Sequence, residues 1–239
     1  MSRADVALVE RGVFPSRAKA REAIEAGLVR AGGRLIAKPS DEIAVDALVE
    51  ARAPYAWVSR GGVKLAAALD AFGVDPSGRM CLDIGASTGG FTDVLLARGA
   101  AQVTAVDVGT GQLHPRVAAD PRVRAFEKTD ARRLTRAQAG APDLIVVDVS
   151  FIALRLVLPP VLAYAAPGAR LIALVKPQFE LGPVAVRKGL VRDPAARAQA
   201  VRVVRADIET GGWRVTGEIV SPITGGEGAV EFLIGAERV

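Results

Sequence analysis

The chain has 239 residues, half of them hydrophobic, with a net charge of +5 and one cysteine. That length buries one large core with room for a small appendage, and a lone thiol excludes an internal disulfide framework. The opening MSRADVALVERG places acids inside a short apolar stretch, and LVLPPVLAYAAPGARLIALV is interrupted by three prolines, a glycine and Arg170; neither a signal peptide nor a membrane span is expected, and a cytoplasmic location follows.

In chain order, DVALVER reads as a brief helix with one apolar face, stopped at Gly12. Ser16 then stands at the N-cap of RAKAREAIEA, which Gly27 ends. LVRAGGRLI reads as two short strands about a Gly32-Gly33 turn, because a two-residue primed turn needs positive φ at both central positions. Charge is concentrated here: residues 1–39 carry eight bases against four acids, which is four of the five net positive charges. Arg3, Arg11, Arg17, Lys19, Arg21 and Arg30 are the candidates for contact with a polyanion. The run SRADVALVERGVFPSRAKAREAIEAGLVRAGGRLIAKPSD resembles the small RNA-binding domain named after the ribosomal protein S-four, and that resemblance implies structured RNA as the partner of the helix and hairpin.

The expected organisation is a small α+β domain over residues 1–53, a join over residues 54–62 and a sheet domain over residues 63–239. Pro54, Gly61 and Gly62 punctuate the join, and Trp57 is expected to anchor the interdomain interface. Beyond it, the apolar runs RMCLDI, QVTAVDV, RVRAFE, DLIVVDV and ARLIALV alternate with helical stretches such as GGFTDVLLARG. Strand and helix in alternation predict an α/β, Rossmann-like parallel sheet covered on both faces. Asp193 before Pro194 marks the start of another helix. The closing strands WRVTGEIV and AVEFLIG are separated only by SPITGGEG and predict an antiparallel hairpin at the sheet's edge.

CLDIGASTGGFTD occupies the first strand-to-helix turn, where an open parallel sheet meets its ligand. A dinucleotide fingerprint needs Gly-x-Gly-x-x-Gly; here Gly85 is followed after three residues by Gly89-Gly90, with Asp83 two places before the first glycine. A carboxylate there repels phosphate and suits a ligand carrying ammonium and sulfonium charges, so S-adenosylmethionine fits better than NAD. Asp107, at the end of the second strand, is in the usual place to take ribose hydroxyls, and Asp130, after the third, is placed to reach an adenine edge. The candidate cofactor set is Asp83, Gly85, Ser87, Gly89, Gly90, Phe91, Asp107 and Asp130.

For the methyl acceptor, the fourth strand ends VVDVSF, without the Asn/Asp-Pro-Pro-aromatic signature common among methyltransferases that act on exocyclic amines. Cys81 lies inside a strand, which disfavours a cysteine-adduct route and fits plain core. Lys176 ends the fifth strand beside Asp148, and Lys64 and Glu231 stand in apolar settings, giving four charged residues where packing alone asks for none. His114 has no second ligand type beside it, and no metal site is predicted.

Lys64, Asp148, Lys176 and Glu231 resemble, in that order, the Lys-Asp-Lys-Glu tetrad of ribose 2′-O-methyltransferases of the FtsJ type. With WVSRGGVKL, LDIGASTGGFTD, VDVSFI, LVKPQFE and GAVEF, nearly the whole chain is similar to the TlyA family of rRNA cytidine 2′-O-methyltransferases, called hemolysins in older usage. The resemblance implies 2′-O-methylation of cytidine in ribosomal RNA, with the four tetrad residues catalytic and ribosomal RNA or a ribosomal subunit as partner. Shorter members of that family are associated with the large subunit, and the stretch from Arg3 to just past Glu231 leans the expectation that way. A non-catalytic RNA-binding assembly factor and a membrane-lytic protein are the competing readings, and a monomer is expected.

Overall fold

The computed structural model describes residues 1–239, the side chain of Pro183 excepted, and the chain divides into two compact units, Met1–Ala56 and Trp57–Val239.

In the first unit, β1 (Ser2–Arg3) leads into α1 (Ala4–Glu10) and then α2 (Arg17–Glu25), whose start is fixed by Ser16 accepting a hydrogen bond from the Lys19 amide at 3.3 Å. β2 (Val29–Ala31) and β3 (Arg34–Leu35) flank Gly32 and Gly33, whose φ of 54° and 77° give the primed turn that matches strand twist. Two further pieces complete the unit: β4 (Glu42–Ile43) pairs with β1, and β5 (Val49–Ala51) adds to the other side of β2. Leu8, Ala20, Ile24, Val29 and Ile36 close the core. These strands of two or three residues are too short to show a period-2 pattern, which is why the sequence showed only a hairpin.

The second unit is a seven-stranded sheet. Five strands run parallel: β6 (Met80–Ile84), β7 (Gln102–Val106), β8 (Val123–Phe126), β9 (Leu144–Val147) and β10 (Arg170–Val175). After them come β11 (Trp213–Val220) and β12 (Phe232–Arg238), and the order across the sheet is β11-β12-β10-β9-β6-β7-β8. The last two strands do form an antiparallel hairpin, with β11 outermost and β12 inserted antiparallel against β10 as well. Strand order reverses between β6 and β9, which opens a crevice at their carboxyl ends.

Alternation along the buried strands sorts the two faces. Leu82, Ile145, Val147, Leu171 and Ala173 pack on one side with α7 (Leu154–Leu162) and α9 (Pro194–Thr210). Cys81, Leu144, Val146 and Ile172 pack on the other with α3 (Gly61–Phe72) and α4 (Gly90–Ala97). Asp193 caps α9 by accepting the Ala195 amide at 3.0 Å. Residues 57–62, expected to belong to a join, are part of this unit: Trp57 and Val58 pack on the α3/α4 cluster, and a Cβ on Gly62 would overlap the Trp57 ring. Among the described residues no helix is long and apolar enough to cross a membrane.

Candidate active site and cofactor cleft

The β6–α4 turn is built by close approach. Gly85 has φ 81°, its amide donates to Val106 O at 2.9 Å, and a Cβ there would overlap the carbonyl oxygen of Asp148. Only glycine lets the turn lie between the ends of β7 and β9. Ser87 follows with φ 45°, a left-handed conformation that a serine adopts at a cost, and its amide donates to Asp107 at 2.8 Å. The Gly109 amide donates to the other Asp107 oxygen at 2.7 Å, so one carboxylate ties two strand-end turns together. Beside them lies a cleft of about 440 Å³, lined by Gly85, Ser87, Asp107, Asp130 and Asp148 together with Val108 and Ile152.

The donor set decides what fits this cleft. Three carboxylates line it, and its one guanidinium, Arg132, is bound to Asp130 at 2.6 Å. That pairing holds the Asp130 carboxyl below the usual carboxylate range. A pyrophosphate would face net repulsion, whereas a cationic amino-acid moiety on a flat apolar base is complementary.

Asp83, Gly89, Gly90 and Phe91 do not line the cleft. Phe91 packs in the α3/α4 core, and a Cβ on Gly90 would overlap the Ser59 hydroxyl. Asp83 is completely buried: one oxygen accepts the Thr92 hydroxyl at 2.6 Å and the other has no hydrogen-bond partner. Burial, reinforced by the charges of Asp148 and Asp107 and opposed by Thr92, pushes its carboxyl up to about 7. Because this lies above the value of an exposed aspartate, the stability contribution is complete at acid pH and is lost as pH rises through about 7. The wild-type protein should therefore lose thermal stability between about pH 4 and 7, and Asp83→Asn should lose less. Scanning calorimetry across that range checks it; parallel slopes would show that Asp83 titrates normally.

The four tetrad residues share the carboxyl edge of the sheet. Val175 at the end of β10 pairs with Phe232 at the start of β12, which sets Lys176 and Glu231 one step beyond that pair on adjacent strands. Asp148 follows β9, and its Oδ1 lies 2.7 Å from Lys176 Nζ, an ion pair off the hydrogen-bond line. The aligned bond from Lys176 goes to Ser150 Oγ, also at 2.7 Å. Lys64, on α3, forms a buried ion pair with Glu231. Gly225 makes room for that carboxylate, since a Cβ there would overlap Glu231 Oε1. Ser150, Thr92 and Gly225 were missed by sequence reasoning. The hydroxyl two residues past Asp148 was the one available signal, for Ser150.

Of the basic residues in the first unit, Arg3, Arg17 and Arg21 converge on Asp5, at 3.1, 2.8 and 3.0 Å. Asp5 is completely buried. Burial would raise its pKa, and the three guanidiniums reverse that, holding the carboxyl well below the usual range. The three arginines remain about half exposed. Arg11 donates to the carbonyls of Ala44 and Ala47, Arg30 to that of Gly33, and Lys19 lies 4.2 Å from the centre of the Tyr55 ring. His114 caps the short helix α5 (Pro115–Ala118).

Comparison with known proteins gives two family matches, FtsJ-like methyltransferase over residues 57–238 and S4 domain over residues 2–49. The 16S/23S rRNA (cytidine-2′-O)-methyltransferase TlyA of Mycobacterium tuberculosis H37Rv is 47% identical, with 98% of this chain and 88% of the relative covered. Hemolysin A of Brachyspira hyodysenteriae is 35% identical over 97% and 98%. A solved structure of a hemolysin from Streptococcus thermophilus superposes with a TM-score of 0.79 at 39% identity, covering all of this chain and 88% of that one. With a mostly parallel seven-stranded sheet, a match over the whole sheet unit and relatives aligned nearly end to end, the chain belongs to the TlyA family of FtsJ-like, S-adenosylmethionine-dependent methyltransferases bearing an S4 domain.

Proposed function

We propose that this enzyme transfers a methyl group from S-adenosylmethionine to the ribose 2′-oxygen of a cytidine in ribosomal RNA. The observation that carries the reading is Lys176, held by Asp148 and Ser150 at the rim of the acidic cleft. S-adenosylmethionine supplies an electrophilic methyl on a positively charged sulfur. Asp107 would take its ribose and Asp130 its adenine edge, with the Gly85–Ser87 turn against its amino-acid end.

A 2′-hydroxyl is a weak nucleophile, so the enzyme has to align it and stabilise the oxygen as charge develops. Lys176 is placed for that task, and Asp148 supplies the opposing charge beside it. The Lys64–Glu231 pair borders the same edge and would hold the ribose or an adjoining phosphate. Arg3, Arg17 and Arg21 carry three positive charges on one carboxylate and would offer their remaining N–H groups to RNA phosphates. Phe151, 91% exposed at the cleft and 5.1 Å from the Phe179 ring, is an aromatic surface for a base.

The Mycobacterium relative is named for both 16S and 23S rRNA; we take 23S rRNA, within the large subunit, as the first substrate to test. Labelled methyl from S-adenosylmethionine is offered to unmodified large and small subunits in parallel, and the modified ribose is mapped. Label on a cytidine 2′-oxygen of the large subunit is expected, and label on the small subunit alone would move the site there. No transfer to either, with cofactor bound, would favour the assembly-factor reading.

A further inference from the structure

The segment that follows β9 is held to the segment that follows β10 at three places. Asp148 and Ser150 both meet Lys176, and the buried Glu180 carboxylate accepts the Leu154 amide, at 3.0 and 3.2 Å to its two oxygens. Between these anchors Phe151 has φ 64°, a left-handed conformation that is costly for an aromatic residue. Burial does not offset that cost, because the ring is 91% exposed. What the backbone gains is on the preceding residue: the turn presents the Ser150 hydroxyl to Lys176 Nζ. Asp148 contributes charge from a position off the hydrogen-bond line, so it does not fix where the N–H bonds point. The single aligned acceptor does.

We infer that Ser150 is a positioning residue for methyl transfer, its hydroxyl fixing the direction of the Lys176 ammonium so that a remaining N–H faces the acceptor oxygen. The inference rests on the reading of Lys176 as the group that meets that oxygen. Ser150 is itself exposed, so its replacement spares the core. The charged groups at this edge are Asp148 beyond β9, Glu231 before β12 and Lys64 on α3, and all remain in the variants below.

The test compares wild type, Ser150→Ala, Ser150→Thr and Lys176→Ala on unmodified ribosomal subunits, with S-adenosylmethionine affinity measured separately by calorimetry. Ser150→Ala is expected to lower kcat about 10- to 100-fold while KM and cofactor affinity change less than about twofold, the signature of a lost transition-state interaction. Ser150→Thr, which keeps the hydroxyl, should recover most of the rate. Wild-type kcat in Ser150→Ala, beside an inactive Lys176→Ala, would overturn the inference and leave the proposed function standing. A change confined to KM would overturn it as well, making Ser150 an RNA contact. Full activity in Lys176→Ala would instead remove the reading on which the inference depends.

Discussion

Lys176→Ala should abolish methyl transfer, with a loss in kcat of at least about 10²- to 10³-fold, the range seen when one donor to a developing oxyanion is removed. The reason lies in what meets at this position. Lys176 follows a strand buried on both faces, and the residue is nine-tenths buried yet stands beside Asp148 and Ser150 at the rim of the acidic cleft. Asp148 and Ser150 hold it from one side. Asp107 and Asp130, the carboxylates proposed to take the cofactor's ribose and adenine, bond to Ser87, Gly109 and Arg132 and not to the lysine, so S-adenosylmethionine binding measured by calorimetry should stay within a few-fold of wild type. Single-turnover transfer to unmodified subunits then isolates the chemical step. Loss of cofactor affinity equal to the loss of rate would mean that Lys176 organises the cleft and has no part in the transfer itself.

Glu231→Ala should be the most destabilising change near the site. The Lys64 and Glu231 side chains are 9% and 3% exposed, and truncating the acid leaves an ammonium buried without its partner. Breaking such a pair costs about 3–5 kcal/mol, which for a unit of this size lowers Tm by about 10 °C. The double variant Lys64→Met with Glu231→Leu should recover most of that stability, since apolar side chains of similar volume pack in place of the pair. It should recover no activity. Thermal denaturation of Lys64→Met, Glu231→Leu and the double variant gives the coupling energy directly. Additive single effects would show that the two residues act separately, against the buried ion pair seen here.

The parts of this molecule that were legible in the sequence are those where one pattern settles the outcome. β9 and β10 are continuous apolar runs because both faces are covered, and Asp193-Pro194 announces α9 by cap chemistry alone. Gly85 was readable as a turn glycine, although the Asp148 carbonyl that enforces it was not. Contacts between distant positions stayed hidden. Lys64 and Glu231 are separated by 167 residues, and no spacing rule joins them; the tetrad became a set through family resemblance. Arg3, Arg17 and Arg21 read as separate basic positions, and only folding closes all three around Asp5. Trp57 was assigned to a join because prolines and glycines surround it, and that pattern held no sign of its packing against the α3/α4 core. Asp83 was placed by sequence at the ligand, but the sheet buries it beneath the turn, where Thr92 is its hydrogen-bond partner.

The position of β12 has a consequence for how defects in this protein will present. It is the penultimate strand in space, hydrogen-bonded to β10 along six residues and to β11 on its other side. A chain cut short before Phe232 would lose the segment adjoining Glu231 and would also leave the apolar β10 and the eight-residue β11 without their shared partner. Open edges of that kind recruit other chains. Nonsense and frameshift lesions in this region should therefore yield aggregates cleared by proteases, not an inactive but soluble enzyme, and the cell would register them as absence of the protein.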